Sequence, residues 1–356
     1  MTSEVTPPGQ VRARVVPGLP EVTAGTDLAA VIAAGALAAD LPVGDDDVLV
    51  VASKVVAKAE GRSVPAGERE AVIAGQTVRQ VAARTLPDGR VTRVVQTRSG
   101  PVLAAAGVDA SDVAAGTVLL LPQDPDASAR ALRARLAELT GRSPAVLVTD
   151  TAGRPWREGV TDFALGAAGL ACLQDHRGTR DRSGRVLDVT VRAVADEVAA
   201  MADLVKGKAA GTPIAVVSGM GAHVTREDGD GARGCVRVGP GDWFAFGHVE
   251  AVRASLGVLS AAGADPVAPP PIGLGEPVGP RLGRAVLLAA HAHPPGGGTL
   301  EPGEGSGDLV AVRGGTPVLR GVLAQRLLSA LWSEGLAGEL VVTGDEVAVR
   351  LRPPSL

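Results

Sequence analysis

At 356 residues, with 46% hydrophobic and 21% charged residues, the chain has the composition of a folded protein with room for two domains. A net charge of −4 sets up no positive field for nucleic acid or an acidic membrane, and 2% aromatic residues without one Tyr leave no stacking platform for single-stranded bases. Two cysteines make no disulfide framework and lack metal-ligand spacing; with no signal pattern and no run of about 18 uncharged apolar residues, a cytoplasmic protein without a membrane span is expected.

Residues 1–10 read as a flexible lead-in, and alternating Val and Arg predict a strand over 11–16. Pro17, Gly18 and Pro20 stiffen the loop that carries Leu19, Glu21 and Val22. Thr26 and Asp27 then cap an Ala-rich helix over 28–39. The apolar run 48–51 predicts a buried strand, with Ser53 just beyond it and Lys58 five positions further on. A hydroxyl and a lysine that reach one point suit a phosphate; an ordinary surface lysine is the alternative reading. The spacing G-x-x-x-x-G-K-S/T of the Gly-rich phosphate loop is absent.

A helix is expected over 71–84, then strands over 91–96 and 102–105 around a Gly-Pro turn. Asp109 and Asp112 follow the second of these strands. Asp pairs of this kind usually make turns or caps, but they also suit a cation if another acidic strand end lies beside them. A strand is expected over 118–121. A helix over 127–140 should point Arg130, Arg133 and Arg135 outward and Leu132, Leu136 and Leu139 inward.

Residues 145–162, AVLVTDTAGRPWREGVTD, are the densest in chemistry. The run 145–148 predicts a short strand that delivers Asp150 and Thr151 at its end, before a Gly-Arg-Pro turn. A carboxylate beside a hydroxyl suits a hard cation, and Arg154 and Arg157 suit phosphate or carboxylate. An Asp/Thr turn that caps a helix is the alternative. Further on, strands are expected over 186–191 and 214–217 and helices over 193–205 and 245–259. Lys206 and Lys208 fit a helix C-terminus through its dipole alone. The Gly/Asp-rich loop 226–233 is expected to lack fixed structure. Residues 256–280 read as a Pro/Gly-rich linker. A small region, 281–356, is expected to hold two helices (282–291 and 319–336), a Gly/Pro-rich loop over 294–307 and a terminal hairpin over 340–350.

Seven stretches carry a family resemblance: VPGLPEV (16–22), DVLVVASKVVAKAEGR (47–62), AAAGVDASD (104–112), LLLPQDPDASARALRARLAELTG (119–141), VLVTDTAGRPWREGVTDFALGAAGL (146–170), DVTVRAVADEVAAMADLVKGKA (188–209) and TPIAVVSG (212–219). In this order the chain resembles the coenzyme F420:L-glutamate ligases over a domain spanning about 11–255. The resemblance implies an α+β protein, a mixed α/β two-lobed ligase fold that forms an intertwined homodimer. It implies a GTP-dependent amide ligase: GTP phosphorylates the free carboxylate of coenzyme F420-0, L-glutamate attacks the acyl phosphate, and GDP and phosphate leave, with repeated rounds building a gamma-linked tail. Mg2+ or Mn2+ is implied, with K+ as a further candidate. The implied nucleotide contacts fall on Leu19, Pro20, Glu21, Val22, Ser53, Lys58 and Asp112, and the metal ligands on Asp109, Asp150 and Thr151. Asp150 and Lys58 thereby carry the chemistry; Arg154 and Arg157 are added from proximity and charge, as holders of a substrate phosphate or carboxylate.

Two features depart from the family pattern. Position 112 is usually Asn, which can donate a hydrogen bond; the ionised Asp112 cannot. Some actinobacterial relatives also carry a flavin-dependent nitroreductase-like domain after the ligase. Here only about 100 residues follow position 256, without an Arg-Arg-Ser-type phosphate motif, so flavin binding is not expected. An FMN-dependent reductase activity in this region is the alternative function, and a nucleotide-binding module without catalysis is a third.

Overall fold

The computed structural model describes residues 9–208, 210–260, 263–264, 276–291, 293, 295–303 and 308–352. The lead-in at 1–8 and part of the expected linker, 261–262 and 265–275, lie outside these residues. The elements in chain order are β1 (Arg12–Val15), α1 (Leu28–Ala38), β2 (Val48–Ala52), α2 (Ser53–Ala59), β3 (Ser63–Pro65), α3 (Arg69–Gln76), β4 (Thr77–Thr85), β5 (Val91–Thr97) and β6 (Val102–Ala104). Then come β7 (Thr117–Leu119), α4 (Pro125–Thr140), β8 (Ala145–Arg154), β9 (Arg157–Ala168), β10 (Gln174–Asp175), β11 (Val191–Arg192), α5 (Val194–Lys206) and β12 (Ile214–Ser218). The remainder is α6 (His248–Ser255), β13 (Leu259–Ser260), β14 (Gly263–Ala264), α7 (Val278–Ala290), β15 (Thr299–Pro302), β16 (Leu309–Arg313), α8 (Pro317–Ser333), β17 (Ala337–Thr343) and β18 (Glu346–Arg352). The protein is of mixed α/β class. Among the described residues no helix is long and apolar enough to cross a membrane.

The chain forms two compact units. The first comprises residues up to Gln76, Arg98–Leu103 and Gly107–Arg237. Its five-stranded sheet has the order β1-β12-β2-β8-β9. Only the central pair, β2 and β8, is parallel; the other neighbours are antiparallel. Because side chains alternate across a strand, Leu49 and Val51 of β2 face one layer, with α1, α2 and α4, while Val48 and Val50 face α5. Strands covered on both faces read as unbroken apolar runs, which is why 48–51, 145–148 and 214–217 stood out in the sequence. The caps were also legible: Asp27 accepts the Ala30 N–H at 3.1 Å and Asp124 accepts the Ala127 N–H at 3.0 Å.

Several local expectations are corrected. The helix expected over 71–84 stops at Gln76, and Thr77–Thr85 is a strand paired with β5, because a β-branched, alternating run can satisfy its backbone across a hairpin. The short strand at 145–148 continues to Arg154 and returns as β9 through a two-residue turn, so Asp150 and Thr151 lie inside a long hairpin rather than at its end. In α4, Arg133 is buried (5% exposed) and Leu139 is 42% exposed, the reverse of the expected orientation. The Arg133 guanidinium donates to the Pro144 and Thr225 carbonyls and pairs with Asp228 at 2.8 Å. That clamp gives the loop 226–233 fixed structure. Of the strand expected over 186–191, only Val191 lies in a strand, β11. The helix expected over 245–259 is confined to α6.

The second unit holds β4, β5 and the chain from Val238 onward. Helices α7 and α8 pack on the four-stranded antiparallel sheet β15-β16-β18-β17 around a core of Leu288, Leu323, Leu327 and Val349. Helix α7 begins inside the expected linker, and β15 falls inside the expected Gly/Pro-rich loop. The fully buried Glu334 carboxylate joins Arg253 of α6 and Arg284 of α7, so three helical segments share one ion cluster.

Candidate functional site

The site grows from the point where β2 passes directly into α2, in the first unit. Ser53, Lys54 and Lys58 lie on this first helical segment, and the four-residue spacing puts the two lysines on one face. Lys58 Nζ bonds Glu21 at 2.8 Å and Asp112 at 3.2 Å. Burial works against its charge, but these two carboxylates outweigh it and raise the Lys58 pKa. Lys54 Nζ reaches Asp109 at 2.8 Å and the Ser111 hydroxyl at 2.7 Å.

Asp109 is held by a short antiparallel bridge to Leu119. Its carboxylate accepts the Ser111 N–H and hydroxyl, both at 2.8 Å. Burial would raise its pKa; Lys54 and Ser111 prevail and hold it below the usual carboxylate range. Asp112 sits at φ 55°, a left-handed conformation that Asp and Asn tolerate better than most residues. The backbone therefore accepts the exchange of Asn for Asp, and the carboxylate adds an ion pair with Lys58 that an amide would not make.

Asp150 is a strongly perturbed acid. Its carboxyl lies deep, although the residue keeps some exposed surface, and its pKa is pushed up to about 6 by burial and by the charges of Asp162 and Asp109. The Thr151 N–H and the Ser53 hydroxyl oppose the shift. Across the hairpin Thr151 faces Asp162. Asp162 accepts from Thr151 Oγ1 at 2.6 Å, Thr149 Oγ1 at 3.1 Å, Lys206 Nζ at 2.8 Å and Lys208 Nζ at 3.2 Å. Asp162 and Lys206 are each 4% exposed. Burial alone would raise the Asp162 pKa, but the Lys206 charge reverses the shift and lowers it. Lys208 also bonds Thr151 Oγ1 at 2.7 Å and Asp203 at 2.8 Å.

Most of the residues singled out in the sequence thus converge. Ser53, Asp109, Asp150 and Thr151 are joined by hydrogen bonds and charge interactions at the start of α2, and Lys58 of the same helix gathers Glu21 and Asp112 in a second cluster. The strands near Asp109 and Asp150 are not sheet neighbours; the start of α2 touches both acids, Lys54 pairing with Asp109 and Ser53 bonding Asp150. Leu19 and Val22 turn their side chains into the core, so Pro20 and Glu21 are the exposed members of that loop. Arg154 and Arg157 are not brought in. They form a cross-strand pair at the exposed end of the hairpin, and Arg154 lies four residues, roughly 13 Å along the strand, beyond Asp150.

Sequence reasoning missed Lys54, the pairing role of Asp162 and the burial of Lys206. The available signal was a lysine adjacent to Ser53, and one lysine at the end of the otherwise apolar face of α5. Among the described residues no group of three or more His, Cys, Asp or Glu is arranged to hold a metal. Asp109 and Asp150 nevertheless repel each other as two hard oxygen donors, Asp109 also paired with Lys54, and such a pair suits a divalent ion. The third expected ligand, the Thr151 hydroxyl, is engaged by Asp162 and Lys208.

Residues 18–219 match the family model described as F420-0:Gamma-glutamyl ligase. The chain is 41% identical over 237 residues to the coenzyme F420:L-glutamate ligase of Methanopyrus kandleri, an alignment covering 62% of this chain and 91% of that protein. It is 42% identical over 224 residues to the enzyme of the same name from Haloarcula marismortui, covering 57% and 84%. With the one from Archaeoglobus fulgidus it shares 41% over 220 residues, covering 58% and 86%.

Proposed function

The chain belongs to the F420-0:gamma-glutamyl ligase family, and from that premise we propose that it joins L-glutamate to coenzyme F420-0, with GTP as the phosphoryl donor. The observation that carries this reading is that one helix, α2, meets three acids of the family motifs: Ser53 bonds Asp150, Lys54 pairs with Asp109 and Lys58 pairs with Asp112. A carboxylate oxygen of F420-0 attacks the terminal phosphorus of GTP, the bridging P–O bond breaks, and GDP leaves. The glutamate amine then attacks the acyl carbon, loses a proton, and phosphate departs. Further rounds extend a gamma-linked tail.

Lys58 offsets charge on the phosphates and the leaving GDP, at the cost of its present bonds to Glu21 and Asp112. The Ser53 hydroxyl orients Asp150 and is available to a phosphate oxygen. Pro20 and Glu21 flank the nucleotide, with the backbone of Leu19 and Val22. Asp109 and Asp150, with Thr151 beside them, would hold Mg2+ or Mn2+, which when bound supplies charge neutralisation across the phosphate oxygens. Arg154 and Arg157, outside this cluster at the exposed end of the hairpin, would meet only a distal carboxylate or phosphate of the substrate. The edge strand β9, with exposed Val160 and with exposed Trp156 in the turn before it, supports pairing with a second copy in a two-lobed, intertwined homodimer.

The test incubates the full chain with F420-0, L-glutamate, GTP and Mn2+ and reads products by mass. Addition of one or more glutamyl residues with GDP release is expected. F420-0 that returns unchanged would remove the proposal.

A further inference from the structure

The two cysteines take no part in the chemistry above. Cys172 and Cys235 are 63 positions apart, yet both pack into the same core cluster beside α5, where the two thiols are neighbours. The Cys172 S–H donates weakly to the Leu170 carbonyl oxygen, at 3.6 Å. Each thiol sits on an independently anchored backbone. The Cys172 carbonyl accepts the Ala195 N–H at 3.2 Å, on the first turn of α5. Cys235 ends a short turn, Ala232–Cys235, whose Ala232 and Arg233 N–H groups donate to Asp126 at 2.7 and 3.2 Å. A side chain on Gly231 would collide with that Asp126 carboxylate, so the turn's approach is set by backbone packing. Cys172 is buried and Cys235 is partly exposed.

We infer that Cys172 and Cys235 form a peroxide-sensitive dithiol, in which the exposed sulfur reacts first and the buried one resolves it to a disulfide. Cys235 is the more exposed of the two, and the neighbouring Cys172 thiol lowers its pKa against burial and the nearby Asp196 and Asp126 charges, while Cys235 and burial raise that of Cys172. The Cys235 thiolate attacks one oxygen of hydrogen peroxide, the O–O bond breaks, and hydroxide leaves and takes up a proton. Cys172 gives up its proton and displaces the sulfenic hydroxyl as water. Two thiols lose two electrons and two protons, and one peroxide becomes two waters. The new bond ties the 232–235 turn to the start of α5.

The competing account is two small apolar residues that fill the core. The test treats the reduced full-length chain with one equivalent of hydrogen peroxide in native buffer, then counts thiols and measures intact mass. Thiols counted after unfolding in denaturant should fall from two to none, the mass should fall by two hydrogens, and dithiothreitol should reverse both. In C172S the sulfenic acid at Cys235 has no resolving partner and should be trapped by dimedone, whereas native C235S should stay unmodified. A wild-type chain that keeps both thiols, or gains oxygen without losing two hydrogens, overturns the inference. That measurement needs neither variant to fold, and it is independent of the ligase reading.

Discussion

Asp150→Asn should make the protein more stable and inactive. Burial and the charges of Asp162 and Asp109 lift the Asp150 pKa from its ordinary 3.8 to about 6. An acid whose folded pKa is raised binds its proton more tightly in the native state. Its contribution to stability is intact below the unfolded value and is lost as pH rises through about 6. Above that pH the lost stability is about 3 kcal/mol, at 1.36 kcal/mol per pKa unit. Asparagine keeps the shape and still accepts the Thr151 N–H, but carries no charge. At pH 8 and without divalent metal, the variant should therefore melt roughly 6–12 °C above the wild type. The two melting curves should approach each other as pH falls toward 4, because the wild-type carboxyl is then protonated. Glutamyl transfer should be lost, and Mn2+ should raise the wild-type Tm but not the variant's. Thermal unfolding by circular dichroism from pH 4 to 8 decides the matter. Equal Tm values at pH 8, or a gap that does not narrow in acid, would refute the electrostatic account of this site.

Three further outcomes follow from named contacts. Asp162→Ala strands the buried Lys206 charge and should destabilise the protein by about 3–5 kcal/mol in urea unfolding. Adding Lys206→Met should recover most of that loss, and a double variant no better than the single would contradict the pairing. Since the Asp162 pKa is lowered, its contribution is present above the ordinary carboxylate range and disappears as pH drops below it. Asp112→Asn leaves Lys58 with Glu21 as its one carboxylate partner from this pair; the KM for GTP should fall severalfold with kcat nearly unchanged, and an unchanged KM would show that the ion pair does not compete with nucleotide. Gly166→Ala would drive a methyl group into the Pro125 backbone, where α4 crosses β9; a loss of about 1–3 kcal/mol should appear as a lower urea midpoint, and an unshifted midpoint would mean the helix yields freely.

Among the elements, the sequence by itself determined the buried strands β2, β8 and β12 and the helices capped by Asp27 and Asp124. A strand covered on both faces must be continuously apolar, and a cap acts within three residues. As candidate site positions, Ser53, Lys58 and Asp150 were likewise readable from their place just after β2 or within β8, and Asp109 and Asp112 from a family motif. What only the tertiary structure decided involves partners remote in the chain. Arg133 occupies a helix position that looks solvent-facing, and becomes buried because Asp228 and the Thr225 carbonyl close over it. Lys54 is an ordinary surface lysine until Asp109 and Ser111 meet it. Lys206 reads as a cation placed for a helix dipole, yet its position depends on Asp162, 44 residues earlier in the chain. Local spacing fixes which face of an element a side chain occupies. Whether that face meets solvent or an opposite charge depends on sheet order and hairpin register, which arise only when distant segments pack.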